Sequence, residues 1–289
     1  MISLDPKTLS TPKLQMYLQA AVAPRPIALA STVDEVGKPN LSPFSFFNIF
    51  SSNPPILVFS PSRRVRDNTI KHTLENVLAT KEVVINVVNY DIVHQTSLSS
   101  TEYGKGVNEF EKSGLTILNS DVVKPFRVAE SPVQFECKVN DVISLGEEGG
   151  AGNLVICEVL KIHISKEVLD DENHIIQEKL DLVARAGGNY YSRAKKGFFE
   201  IPKPLKTKGI GVDAMPEYVK NSMVLTGNDL GMLGNVERLP EQKEVTDFII
   251  HVSERYPNIQ NMNQREKHKI ARNYLSYGDV ESAWKLLLS

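Results

Sequence analysis

The sequence predicts a mainly β protein with flanking helices that ends in a helical C-terminal extension. Three observations predict it. Short apolar and aromatic runs divided by Gly, Pro and Asn crowd the first ninety residues, as strands joined by turns do. Two longer alternating runs follow at 132–145 and 153–164. Near residue 200 the composition changes to helix-period patterns, which divides the chain into a β-rich domain, 1–200, and an extension, 201–289.

In chain order, residues 27–34 (IALASTVD) and 41–50 (LSPFSFFNIF) flank the turn chemistry of Glu35 to Asn40 and predict a hairpin. A third strand runs from Ile56 to Ser60, because Pro54 and Pro55 exclude helix and set an extended entry. Residues 66–79 place Ile70, Leu74, Val77 and Leu78 on one helical face, with Asp67, Asn68 or Thr69 as N-cap. The β-branched run Glu82 to Asn89 reads as a buried strand. Residues 90–113 mix short helical pieces with the loop Ser99 to Gly106, suited to a lid or a site wall. The glycine-rich segment Gly146 to Gly152 joins the two long runs. Beyond the joint IPKPLKTKG, helical patterns occupy 240–255 and 263–288.

Composition excludes several classes. The 289 residues are 41% hydrophobic and 24% charged, an ordinary globular balance, and the net charge of -2 gives no global field for nucleic acid or an anionic membrane. No apolar run reaches the ~20 residues of a membrane span and the N-terminus lacks a signal-peptide core, so a cytoplasmic location is expected. Cys137 and Cys157 form no CxxC motif or zinc cage and read as small core residues.

Site motifs exclude more. A phosphate-cradling glycine loop leads into a helix, whereas Gly146 to Gly152 leads into the strand beginning Asn153-Leu154-Val155, so it reads as a hairpin turn. The six histidines contain no pair at helical metal-ligand spacing, and His163 sits in a strand with no carboxylate near it on its own face, so no metal site is expected. No GxSxG surrounds a serine. Chemistry carried by a cofactor is what remains.

The informative stretch is 24–76. It holds Pro24-Arg25-Pro26, Ser42 to Asn48, Ser60 to Arg66 and Lys71 to Asn76. Arginine, lysine and hydroxyl groups suit a dianionic phosphate, an apolar wall such as Phe46 suits an aromatic ring, and Ser45 and Asn48 suit polar chain atoms. By chemistry alone the cluster Arg63, Arg64, Arg66 and Lys71 serves equally as an anion site or as a solvated basic face, and the phenylalanines serve equally as core.

These motifs, in this order, resemble the flavin reductase-like family. The matching pieces are Pro24 to Ile27, Ser31 to Asp34 leading to Gly37 to Asn40, Leu41 to Asn48, Pro54-Pro55, Lys71 to Asn76, and Val83 to Val87. The resemblance spans about 15–195 and implies an FMN-binding split β-barrel over 1–200. It places Ser45, Phe46 and Asn48 at the flavin and its ribityl chain, and Ser60, Ser62, Arg63, Lys71 and Thr73 along the chain and phosphate, with Arg25 counted among the cofactor-binding residues. His72 stands where the family has aspartate, and the run Arg63 to Arg66 leaves open which arginine meets the phosphate. Arg185-Ala186-Gly187-Gly188 resembles a late Arg-x-Gly-Gly element of the family.

The implied activity is an oxidoreductase passing hydride from NADH or NADPH to bound FMN, and on to free flavin, another acceptor or an oxygenase partner. No catalytic side chain is then required, because the flavin carries the chemistry. The resemblance also implies a homodimer. Two other readings stay open on sequence: a non-catalytic FMN-binding protein acting as sensor, carrier or store, and an oxidase of the pyridoxamine-phosphate type.

Overall fold

The computed structural model describes residues 1–202 and 208–289, and the middle of the predicted joint IPKPLKTKG lies outside the described residues. The chain divides into two units, Met1–Phe199 and Glu200–Ser289. Among the described residues, no helix is long and apolar enough to cross a membrane.

The first unit begins with α1 (Thr11–Ala21), which the sequence reading missed, then β1 (Ala28–Val33), β2 (Pro39–Phe44), β3 (Phe47–Ser52) and β4 (Pro55–Phe59). It continues through α2 (His72–Thr80), β5 (Glu82–Val87), α3 (Val93–Leu98), α4 (Glu109–Ser113) and the short pair β6 (Ile117–Leu118) and β7 (Arg127–Val128). The long strands β8 (Val133–Ser144) and β9 (Asn153–Ile164) follow, then α5 (Gln177–Leu180), β10 (Val183–Arg185) and β11 (Tyr191–Arg193).

Seven strands form one sheet in the order β2-β1-β5-β8-β9-β4-β3. The run 41–50, expected as one strand, is two. A bend at Ser45 and Phe46 separates β2 from β3, which lie at opposite edges of the sheet. Three Cα steps of 3.8 Å span at most ~11 Å, so the sheet must roll until those edges approach at one end. β2 and β3 do not pair with each other, so the roll remains split.

The core inside this roll joins Phe44, Phe59, Leu74, Val77, Ile85, Cys137 and Cys157, with the Phe44 and Phe59 rings 5.3 Å apart. Both cysteines are free and buried, and burial holds their thiols well above the ordinary range. Of the four phenylalanines between 44 and 50, Phe44 is core, Phe47 packs against it, and Phe46 and Phe50 are exposed.

The helix expected over 66–79 starts only at His72. Asp67 spends its carboxylate on the backbone N–H and hydroxyl of Thr69, and Asn68 takes a left-handed φ of 56°. That side-chain turn competes with helix for the same backbone groups and leaves Lys71 as the N-cap. Arg63 to Ile70 therefore form a folded loop ahead of α2, closed on itself by Arg64 N–H to Thr69 O and Asn68 N–H to Arg64 O.

The second unit contains α6 (Glu217–Lys220), α7 (Gly227–Gly234), α8 (Gln242–Val252), α9 (Gln264–Ser276) and α10 (Val280–Leu287). Reciprocal capping boxes start α7, α8 and α9, each satisfying two otherwise orphaned N–H groups. The run 263–288, expected as one helical pattern, breaks at Gly278, whose φ of 77° turns the chain between α9 and α10. Trp284 is fully buried in this unit's own core and donates its indole N–H to Leu233 O at 2.9 Å.

Candidate functional site

Two adjoining hollows in the first unit share Lys71 and Ser100. The larger, about 560 Å³, is lined by Lys71, Thr96, Ser97 and Ser100, by Pro43 and Ser45, and by Gln19, Ile27, Arg185, Asn189 and Tyr191. The smaller continues beyond Lys71 to Asn40, Ser42, Arg64, Thr73 and the loop 99–103. The topology explains the meeting of these residues. β2 delivers Ser42 and Pro43, the bend delivers Ser45, the start of α2 delivers Lys71, and α3 with its following turn delivers Thr96 to Ser100.

Lys71 lies at the junction, and its ammonium enters no ion pair among the described residues. Burial and the neighbouring Arg64 guanidinium lower its pKa from the ordinary 10.5, while Glu102 acts in the opposite direction. Arg64 is mostly covered and held in place: Nε meets Glu102 Oε1 at 3.1 Å, and Nη1 donates to Thr69 Oγ1 at 2.9 Å and to Ile70 O at 2.6 Å. Glu102 and the buried Glu109 line the smaller hollow too, but Glu102 is engaged by Arg64 and Arg66 and Glu109 accepts the Leu41 N–H, which leaves the Lys71 ammonium to attract an anion. In the wall of the larger hollow, Thr96 Oγ1 is buried without a hydrogen-bond partner. An orphaned hydroxyl in a wall shared with Lys71 fits a ligand that brings acceptor oxygens.

Of the expected site residues, Ser45 and Lys71 line the larger hollow and Thr73 lines the smaller. Thr73 is buried, with Oγ1 3.4 Å from Asn40 Oδ1. Phe46 is exposed at the bend, with the Arg25 guanidinium 5.9 Å from its ring centre. Asn48 is exposed on β3, and its Oδ1 accepts from the adjacent Ile49 N–H at 2.8 Å.

Four residues are placed differently from expectation. Ser60 is buried and accepts the Asn153 N–H at 3.1 Å, fastening β9 rather than facing the hollow. Ser62 is part-buried beside it and lines neither hollow. Arg63 turns to Asn68, donating to its side-chain and backbone oxygens at 2.6 and 2.7 Å, so Arg64 is the arginine at the basic end. Arg25 is buried behind the hollow, its Nη1 donating to Gln19 O and Val22 O, both at 2.5 Å, and its Nε to the Ser45 hydroxyl at 3.4 Å. Burial and the nearby Arg185 push the Arg25 pKa down.

The sequence reading singled out the loop that holds Ser100 as a site wall, but it missed Gln19, Thr96, Ser97, Asn189 and Tyr191. None belongs to a local motif with charge, and tertiary folding alone brings them together. The late element containing Arg185 carried a signal. The Arg185 guanidinium stacks 4.6 Å over the Tyr191 ring, and both line the hollow.

His163 requires a correction. Its Nε2 lies 2.6 Å from Glu136 Oε1, because β8 and β9 pair with Gln134 opposite His163 and put Glu136 two residues along the same face. Carboxylates arrive from a neighbouring strand and from Asp121, which spacing within one strand does not reveal. Asp121, Glu136 and His163 form the one grouping of potential metal ligands among the described residues. Its charge is already answered: Lys161 meets Asp121 at 2.5 Å, and Glu136 accepts the N–H groups of Asp121, Val122 and Val123.

Comparison with known proteins agrees with this architecture. The family model described as Flavin reductase like domain matches residues 21–190. A protein of Aquifex aeolicus is 39% identical over 173 residues, covering 60% of this chain and 86% of the relative. One of Halalkalibacterium halodurans is 35% identical over 199 residues, covering 68% and 94%. Among solved structures, nitrilotriacetate monooxygenase component B from Bacillus cereus superposes with a TM-score of 0.65 at 26% identity, over 69% of this chain and 98% of that one. A Shewanella frigidimarina protein with a split barrel domain, assigned to the flavin reductases, gives 0.60 at 25% identity over 70% and 100%. With a match across more than half its length, the chain belongs to the flavin reductase-like family.

Proposed function

We propose that the hollow binds FMN and that the protein is an NAD(P)H-dependent flavin oxidoreductase of the cytoplasm. The observation that carries this reading is the unpaired Lys71 and the Arg64 guanidinium where the two hollows join, with the orphaned Thr96 hydroxyl, Pro43 and Ile27 in the wall of the larger one and Arg185 stacked on Tyr191 there. That combination suits a molecule that carries both a dianionic phosphate and an uncharged ring system.

Lys71 and Arg64 would hold the phosphate, aided by the hydroxyls of Ser42 and Ser100. Thr96 and Ser45 would serve the polar chain, and Pro43, Ile27 and Tyr191 would border the ring and exclude water. FMN bound there supplies the redox chemistry, taking hydride from NADH or NADPH and passing electrons to free flavin, another acceptor or an oxygenase partner. The protein contributes position and charge. Similarity to a monooxygenase component B supports an oxygenase among the acceptors. A second copy of the chain would cover the exposed Ile49 and Phe50 on edge strand β3, two large apolar side chains facing water.

The test is the absorption spectrum of the purified protein with FMN, before and after anaerobic addition of NADH or NADPH. Bleaching of the bound flavin is expected. Bound FMN that neither nicotinamide bleaches would make the protein a flavin carrier or sensor, and failure to take up FMN would overturn the proposal.

A further inference from the structure

We propose that α1 is a clasped wall of the flavin cavity, with Arg25 as its positioning residue and Gln19 as the side chain through which it meets the bound molecule; this rests on the flavin reading above. All of α1 except its last residue precedes the span matched by the family. No residue of α1 is buried, and Met16 and Leu18 are each 54% exposed, so apolar burial does not hold the helix down. Yet Gln19 lines the larger hollow, so the helix has a fixed place beside it.

Two contacts fix its C-terminal end beside the hollow, while at the other end Thr11 lies against Gly150. The first is the Arg25 guanidinium, 7% exposed, with Nη1 on Gln19 O and Val22 O and Nη2 on Ala186 O at 3.3 Å. The last carbonyls of a helix lack intrahelical partners and carry its negative end, so a cation that binds two backbone oxygens there is a latch. The backbones of Arg25 and Arg185 exchange hydrogen bonds of 2.9 and 2.8 Å, which fixes the latch to the segment carrying Arg185 into the cavity wall. The second contact is Gly187. A Cβ on it would lie 2.9 Å from Ala20 Cβ and 3.1 Å from Ala20 Cα, so α1 sits on that glycine with no room for a side chain. Gln19 offers one amide donor pair and one acceptor, which suits the edge of an uncharged heterocycle carrying both kinds of group.

Arg25→Met and Gly187→Ala loosen α1 from two independent contacts in the full chain. In FMN-free protein, each is expected to raise amide exchange of residues 14–22 about tenfold or more, while β5 and β8 amides keep wild-type protection. In FMN-loaded protein, both variants speed FMN release about threefold or more. Gln19→Ala also speeds release but leaves exchange of α1 unchanged, and its effect is non-additive with that of Arg25→Met. Unchanged α1 exchange in both loosening variants would overturn the proposal, as would a rise spread equally over β5 and β8 or FMN release unaffected by all three substitutions. A wild-type protein that takes up no FMN would overturn the flavin reading and the role of Gln19 with it, while the exchange measurement would still test the clasp.

Discussion

At the scale of single residues, Lys71 concentrates the argument. Its lowered pKa means that the free protein gives up this charge at a lower pH than an ordinary lysine, whose pKa is 10.5. The protonated form binds a phosphate, so FMN affinity is expected to fall as pH rises through the Lys71 pKa, with the fall beginning below 10.5. Titration of FMN binding against pH measures it, and Lys71→Arg should move the loss to higher pH. A charged hydrogen bond contributes ~1.5–3 kcal/mol, so Lys71→Ala should weaken binding about tenfold to a hundredfold. Thr73→Ala should cost less affinity, because its buried hydroxyl already faces Asn40. The sequence made the basic cluster legible but not the choice among its arginines. That choice depends on the Asp67–Thr69 turn and the left-handed Asn68, which send Arg63 one way and Arg64 the other.

Glu136 belongs to the same scale. Burial pushes its carboxyl up, but the Asp121 and Val122 N–H groups and His163 prevail and hold it below the usual range. A carboxylate with a depressed folded-state pKa contributes stability that is present above its unfolded value, near 4.5, and is lost as pH falls through the folded value. Glu136→Gln should therefore destabilise the protein by about 1–3 kcal/mol at neutral pH. The difference in melting temperature between wild type and variant should shrink in acid below 4.5. Thermal unfolding at a series of pH values checks both the sign and the window.

At the scale of elements, the turn 146–152 reads correctly as a hairpin, yet its role lies in what it touches. Gly150 N–H donates to Arg63 O and Arg63 N–H to Ala151 O, while Asn68 Nδ2 donates to Glu147 O, so the hairpin buttresses the basic loop from behind. A Cβ at Gly149 would come within 3.1 Å of the Arg64 and Val65 backbones, which cannot rotate aside as a side chain can. Gly149→Ala should therefore displace the Arg64 segment and lower both melting temperature and FMN affinity without touching the ligand. Gly104→Ala, where a Cβ meets nothing within 4 Å, is the control expected to change neither. Strand periodicity predicted β8 and β9 because alternation is local. The division of 41–50 into two edge strands is set by where the rolled sheet opens, and α1 was missed although Leu14, Tyr17, Leu18 and Ala21 recur at helical spacing behind Pro12.

At the scale of the whole chain, the change of composition near residue 200 marks the passage between two separate cores. One lies inside the rolled sheet, around Phe59 and Ile85, and the other gathers Val219, Leu233, Ala271, Trp284 and Leu286 within the C-terminal helices. The sequence made the helical character of 201–289 legible, but α6 and α7 are short and begin beside Pro216 and Gly227, where helix period has too few turns to register. Every group assigned above to the flavin belongs to the first unit, as do the hairpin that braces the basic loop and the latch on α1. A chain of residues 1–199 should therefore fold, unfold in a single cooperative transition, and bind FMN with the affinity of the full chain. Calorimetry and FMN titration of the two proteins side by side decide it. A truncated protein that folds but binds FMN about tenfold more weakly or worse would place the helical unit in the site and require a contribution from its residues.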